Sequence, residues 1–166
     1  MADRAPAPAR ASEPQSLAFT IRDAEPREHD ALGSLAAVAF ARFGDYAAPI
    51  QRWLATPGTL TLVATREERV LGFVLVALFT RRAAGLRGEV LAIAVDPAAR
   101  GAGIGAALLE AGVRALRGAG HPLGSIEADV AMDNEVALAL FASAGFVPAG
   151  LGMSYDHGQR AVRLAL

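Results

Sequence analysis

Residues 89–109 read EVLAIAVDPAARGAGIGAALL, and the reading of that stretch decides the fold. The run from Glu89 to Val95 is rich enough in Val, Leu and Ile to form a buried strand. It passes through Asp96-Pro97 into Gly101, Gly103 and Gly105, and then into helix-compatible residues. The order is therefore strand, glycine turn, helix. Three glycines in five positions remove the side chains that would keep an anion from the backbone N–H groups at a helix start. A phosphate-bearing ligand suits such a turn, and the plainer reading is a helix N-terminus and nothing more.

Working outward, the 166 residues suit one domain, long enough to bury about two thirds of the surface that the unfolded chain exposes. The formal net charge is −1 and there is no run of five like charges, so neither a nucleic-acid groove nor a basic membrane-binding face is expected. Cysteine is absent, which removes disulfides, zinc thiolates and a thiol nucleophile. No signal-peptide layout and no apolar stretch of about 20 residues is found, so a cytoplasmic protein is expected. His29, His121 and His157 show no i, i+4 pairing and no Glu-x-x-His context, which argues against a metal site.

Residues 1–16 carry Pro6, Pro8 and Pro14 among Ala, Arg and Ser and form an expected disordered tail, leaving 17–166 as the domain. Residues 17–22 alternate as a first strand. Helices are expected at 30–43, with Leu32, Leu35, Val38 and Ala39 on one face, and at 46–54. Strands at 59–65 and 70–79 are joined by Arg66-Glu67-Glu68-Arg69 as an antiparallel hairpin, and 80–88 reads as a solvated loop carrying Arg81, Arg82 and Arg87. A helix from about 103 to 118 buries Ile104, Leu108, Leu109, Val113 and Leu116. A strand at 125–130 and a helix at 135–143, capped by Asp133 or Asn134 and burying Val136, Leu138, Leu140 and Phe141, lead to a last hairpin from 146–147 and 155–164. The sum is a mixed α/β chain, β-α-α-β-β-β-α-β-α-β-β, with helices on both faces of a mixed sheet.

Gly101, Gly103 and Ala106 also satisfy the dinucleotide fingerprint G-x-G-x-x-A, but Asp96 to Arg100 separates them from the strand and only about 60 residues follow, too few for a doubly wound domain. No Gly-Lys-Ser/Thr follows, so a P-loop is excluded. The segment Arg100-Gly101-Ala102-Gly103-Ile104-Gly105, preceded by Val95-Asp96-Pro97, resembles the acyl-CoA signature R-x-x-G-x-G/A of the GNAT superfamily of N-acyltransferases. Downstream, Asn134-x-x-Ala137, Phe141 and Gly145-Phe146 resemble that family's second cofactor segment, with Phe141 standing where a tyrosine is usual.

The resemblance runs from about residue 17 to the C-terminus and implies a mostly antiparallel GNAT-like sheet. It further implies that the N–H groups of Gly101 to Ala106 hold the pyrophosphate of acetyl-CoA. The strand carrying Ile93, Ala94 and Val95 would receive the pantetheine arm by strand addition, with Asn134 and Phe141 beside it. The implied reaction is direct transfer of an acetyl group to a primary amine, of a small molecule or a peptide, in a ternary complex, by a monomer or homodimer and without a metal. Glu89 is the first candidate base and Asp129 the second, although Glu127 and Asp129 also read as the polar face of a half-buried strand. Tyr155 is the candidate acid, with Tyr46 more remote, because Phe141 has no proton to give. Tyr46, Trp53 and Tyr155 are the aromatic residues expected nearest the acceptor. The missing tyrosine also fits a module that binds acyl-CoA without turnover, and NAD affinity would revive a third reading as an oxidoreductase.

Overall fold

A computed structural model describes residues 18–81 and 85–166; the expected tail at 1–16, Leu17 and Arg82 lie outside them. Seven strands form one sheet: β1 Thr20–Asp23, β2 Thr59–Arg66, β3 Arg69–Arg81, β4 Gly85–Val95, β5 Leu123–Ala131, β6 Val147–Leu151 and β7 Ala161–Ala165. Helices α1 His29–Phe40 and α2 Ala47–Leu54 follow β1, α3 Ile104–Arg117 joins β4 to β5, and α4 Glu135–Ser143 joins β5 to β6. The strand order is β1-β2-β3-β4-β5-β7-β6, antiparallel throughout except between β4 and β5. The mixed, mostly antiparallel sheet with helices on both faces is the architecture expected from the sequence.

The α3 crossover makes that one pairing parallel, since a helix between two strands returns the chain to the same end of the sheet. On one face α3 and α4 cover a core built on Val74, Val76, Ile104, Leu108, Leu109 and Phe141. On the other, α1 and α2 cover Leu32, Ile50, Val63, Phe73 and Leu75. Glu67 and Glu68 turn the β2–β3 hairpin with φ of +48° and +66°, the pair of positive values that a two-residue turn between twisted strands needs.

Four sequence expectations change. The stretch 80–88 is mostly strand: Thr80 pairs Leu86 and Arg81 pairs Gly85, so Arg87 lies in β4. Apolar patterning misses these strand ends because backbone pairing continues past the covered core. Tyr155 lies in the connection before β7, where its N–H closes a turn onto the Gln159 carbonyl at 2.9 Å. Val38 and Val136, expected to face the core, are 63% and 81% exposed. Helix α1 ends at Phe40, short of Phe43, whose N–H bonds back to the Phe40 carbonyl.

Candidate functional site

The parallel pairing of β4 with β5 stops at Glu89 opposite Glu127, while β4 continues to Val95 and β5 to Ala131. The two strands therefore part and leave a notch through the sheet. On its other edge β4 remains bonded to β3, with a bulge in which Val90 and Leu91 share the space opposite Val76. The bulge turns the strand: Val90 joins the core under α3, whereas Leu91 and Ala92 both belong to the core under α1 and α2. A pocket of about 80 Å³ occupies the notch, walled by β4 from Val90 to Ile93 and by β5 from Ala128 to Val130. Asn134, Ala137 and Phe141 line it from α4, and Phe40, Phe43, Tyr46, Trp53 and Tyr155 line it from the α1–α2 side and the β6–β7 connection.

At the far end of β4 the glycine turn is held open and stiff. Asp96 Oδ1 accepts from the Ala98 N–H at 2.9 Å, capping the single turn Pro97–Ala99 that proline starts, and its Oδ2 accepts from Arg69 at 2.6 Å. The Ala98 N–H and the Arg69 guanidinium hold the Asp96 carboxyl below its usual pKa. Gly101 and Gly103 have φ of +80° and +77°, and a Cβ at either would meet nothing within 4 Å. Glycine is thus required there by backbone conformation, and the space above the backbone is open to a ligand. Gly103 is the N-cap of α3, whose first-turn N–H groups at 104–106 have no intrahelical acceptor. Arg100, exposed beside the turn, donates Nε to the Val95 carbonyl at 3.3 Å. Gly105 lies against Leu140 of α4, and Ala102 packs against the α3 core. These features fit a pyrophosphate.

The candidate bases stand in different electrostatic surroundings. Glu89, Glu127, Asp129, Arg87 and Arg163 share one network. Arg87 contacts Glu89 at 2.9 Å and Glu127 at 2.6 Å; Arg163 grips both oxygens of Asp129 at 2.8 Å each. Burial raises the Glu89 pKa; Arg87 opposes the rise and the Asp129 charge adds to it. Burial also acts to raise Asp129, but the Arg163 hydrogen bonds and the Met153 N–H at 3.0 Å outweigh it and hold that carboxyl below its usual pKa. Of the two, Glu89 is the better proton acceptor near neutrality, and it stands where the strands part. It does not line the pocket itself; its neighbour Val90 does.

The Tyr155 hydroxyl donates to the Asp129 carbonyl at 2.9 Å, and burial pushes its pKa up to about 12. Phe141 is buried and meets Phe146 edge to face at 5.0 Å. Asn134 caps α4 by accepting from the Ala137 N–H at 3.2 Å and also lines the pocket. Ile93 lines the pocket, Ala94 is buried toward α1 and α2, and Val95 packs toward α3. Tyr46, Trp53 and Tyr155 do converge on one pocket. Arg87 read as a loop cation, and Arg163 escaped the sequence reading; the carboxylates Glu127 and Asp129 that they grip lie 40 and 34 residues away. Among the described residues no group of three or more His, Cys, Asp or Glu could hold a metal, and no helix is long and apolar enough to cross a membrane.

Comparison with known proteins places these features in context. The model of the acetyltransferase (GNAT) family matches residues 24–146. A mycothiol acetyltransferase of Kocuria rhizophila is 37% identical over 102 residues, 58% of this chain and 32% of that protein. One from Nocardiopsis dassonvillei is 48% identical over 59 residues, 36% of this chain and 17% of that protein. The chain thus spans about a third or less of the length of these relatives. The ribosomal-protein-S18-alanine N-acetyltransferase of Escherichia coli shares the fold with a TM-score of 0.74 and 24% identity, over 90% of this chain and 93% of that one. NAA60 of Arabidopsis thaliana, solved in complex with acetyl-CoA, shares it with a TM-score of 0.75 and 16% identity, over 90% and 98%.

Proposed function

The chain belongs to the acetyltransferase (GNAT) family, and from that premise we propose that it moves an acetyl group from acetyl-CoA to a primary amine by direct transfer. The observation that carries this reading is the notch. An edge of β4 free of β5 runs from Val90 to the glycine turn, so one extended ligand could bond along the edge and rest its phosphates on the 101–106 backbone. Arg100, Ala102, Ile104, Gly105 and Ala106 complete that cradle, Ile93 and Val95 supply main-chain partners for the arm while the N–H and C=O of Ala94 between them face β3, and Asn134 and Phe141 flank it.

Glu89 takes the proton that the attacking ammonium must lose, directly or through water, and its raised pKa suits that task. Asp129, neutralised by Arg163, keeps the β5 side of the notch in place. In the transfer a bond forms between the amine nitrogen and the acetyl carbon, and the C–S bond breaks with its electron pair on sulfur. With a thiol pKa of about 8.5 that thiolate leaves without a donor, so Tyr155 acts by position. A cytoplasmic protein, monomeric or homodimeric, and independent of metal fits this reading.

A second reading, acyl-CoA binding without turnover, is favoured by a single observation: the only hydroxyl of Tyr155 is engaged by Asp129, and Phe141 has none. Titration with acetyl-CoA, followed by release of free thiol against a panel of amines, separates the two. Thiol release that disappears in Glu89→Gln supports the enzyme; tight binding with no release against any amine supports the module.

A further inference from the structure

Arg87 stands two residues before the last rung of the β4–β5 ladder, on the same face of its strand as Glu89. That rung sets Glu89 opposite Glu127, two carboxylates side by side at the point where the strands part. Like charges so placed repel unless a cation lies between them. The Arg87 guanidinium does: Nη2 stands 2.9 Å from Glu89 Oε2, and Nη1 donates to Glu127 Oε2 at 2.6 Å. Its carbon lies 5.5 Å over the ring of Phe79, the residue paired with it on β3.

The two carboxylates are held differently. Glu127 is anchored, since its Oε1 accepts from Ser125 Oγ at 2.9 Å and Arg163 Nη1 stands 3.7 Å from its Oε2. Glu89 is held through one oxygen, by Arg87; its Oε1 has no hydrogen bond or ion pair among the described residues. The guanidinium thus ties the candidate base to an anchor on β5 and leaves one oxygen open. Arg87 Nε is buried without a hydrogen-bond partner among the described residues, an uncompensated donor that folding alone does not favour.

The charges around Glu89 give the same residue a second effect. Arg87 faces it from β4, Glu127 and Asp129 from β5 and Arg163 from β7, while β3 presents uncharged Ala77 and Phe79. Burial pushes the Glu89 carboxyl up, and Arg87 is the largest influence holding it down. Without Arg87 the base would face two carboxylates and one cation.

Resting on the acetyltransferase reading, we propose that Arg87 is a positioning residue for the transfer, clamping Glu89 to the Glu127 anchor where the strands part and leaving one Glu89 oxygen open for the proton of the acceptor amine. The ammonium gives one proton to that oxygen, directly or through water, and the carboxylate becomes the neutral acid. The amine keeps the electron pair that attacks the acetyl carbon. Arg87 exchanges no proton in this step, and its effect passes through Glu89.

The test follows thiol release from acetyl-CoA against pH in wild type, Arg87→Met and Arg87→Lys. The acceptor is whichever of benzylamine, spermidine and an Ala-terminated hexapeptide the wild type turns over fastest, kept the same throughout so that the amine's own titration cancels. In Arg87→Met the rising limb of kcat/KM should move up by about one pH unit or more as Glu89 loses its cation. The plateau kcat above that limb should fall about tenfold or more as the carboxylate loses its aim, with KM for acetyl-CoA within about twofold of wild type. Arg87→Lys keeps the charge without the two-pronged grip, so it should restore the limb and recover only part of the plateau. A role in folding alone would lower Tm and move neither. If Arg87→Met fails to fold, the Arg87→Met, Glu127→Gln double variant, which also removes the carboxylate left unpaired, carries the comparison. Its limb should still rise, since Glu127 raises the Glu89 carboxyl less than Arg87 lowers it. A limb or a plateau unmoved in the folded variant overturns the proposal and leaves the acetyltransferase standing. Absence of thiol release from the wild type with every amine overturns both.

Discussion

Alanine at Gly103 separates what the glycine turn does for folding from what it does for the ligand. Gly103 has φ of +77° and no atom within 4 Å of a Cβ placed on it, so Gly103→Ala causes no clash in the free protein. Its only folding cost is the left-handed backbone, about 1–2 kcal/mol for an L residue. For a chain of this size that lowers Tm by about 2–8 °C. The ligand loses more. The methyl group stands over the backbone on which the phosphates would rest, and each charge-assisted hydrogen bond lost costs about 1.5–3 kcal/mol, or about 10- to 100-fold in affinity. Gly120 is the control, since its φ of +79° and its open surroundings match Gly103 and it lies after α3, away from the notch. Calorimetric titration with acetyl-CoA and thermal denaturation should show equal Tm losses for the two variants, and an affinity loss in Gly103→Ala alone. Affinity within about twofold of wild type in Gly103→Ala, with Tm reduced as stated, would refute the cradle.

Arg163→Met strips the two-bond partner from Asp129 and leaves a half-buried carboxylate beside Glu127, so stability should fall by about 2–4 kcal/mol in denaturant unfolding, with partial recovery in the Arg163→Met, Asp129→Leu double variant. Because the Asp129 pKa is lowered by folding, its contribution is complete above the ordinary aspartate range and is lost as pH falls through the folded value; the acid limb of stability against pH should be shallower in Arg163→Met. Glu89 has the opposite sign, its pKa being raised, so kcat/KM should climb with pH above the ordinary glutamate range as the carboxyl loses its proton, and Glu89→Gln should abolish that limb. Tyr155→Phe removes the hydroxyl bond to Asp129 and keeps the ring, costing about 1 kcal/mol of stability with kcat within about threefold; a drop of a hundredfold or more would make the hydroxyl a proton donor.

Much of this architecture was legible in the chain. The strand, glycine turn and helix at 89–109 and the cap at Asn134 rest on local chemistry, in which each residue's role follows from its neighbours. What local chemistry could not supply was whatever depends on register. The bulge at Val90 and Leu91, which rotates β4 midway and sets Leu91 and Ala92 toward one face, has no composition of its own. Local chemistry does not reveal the divergence of β4 from β5 either, because Val90 to Val95 look like any buried strand; only the family resemblance implied a free edge there. Arg87 read as a loop cation because one of its carboxylates comes from β5 and the other, Glu89, shares its face only once residues 85–95 form a strand. Tyr155 read as strand because an isolated aromatic next to Ser and Asp gives no sign that it will be packed on Phe43 and Tyr46, more than 100 residues away.

The central claim is that acetyl-CoA lies along the free edge of β4 with its phosphates on the glycine turn. Amide-resolved NMR of the isotopically labelled protein during titration with acetyl-CoA tests this most directly. The account predicts saturable shifts of the Leu91, Ile93, Ala94 and Val95 amides and of Gly101 to Ala106, with the β1 and β2 amides unmoved. Binding that leaves residues 101–106 unshifted, or that moves only amides remote from the notch, would contradict it.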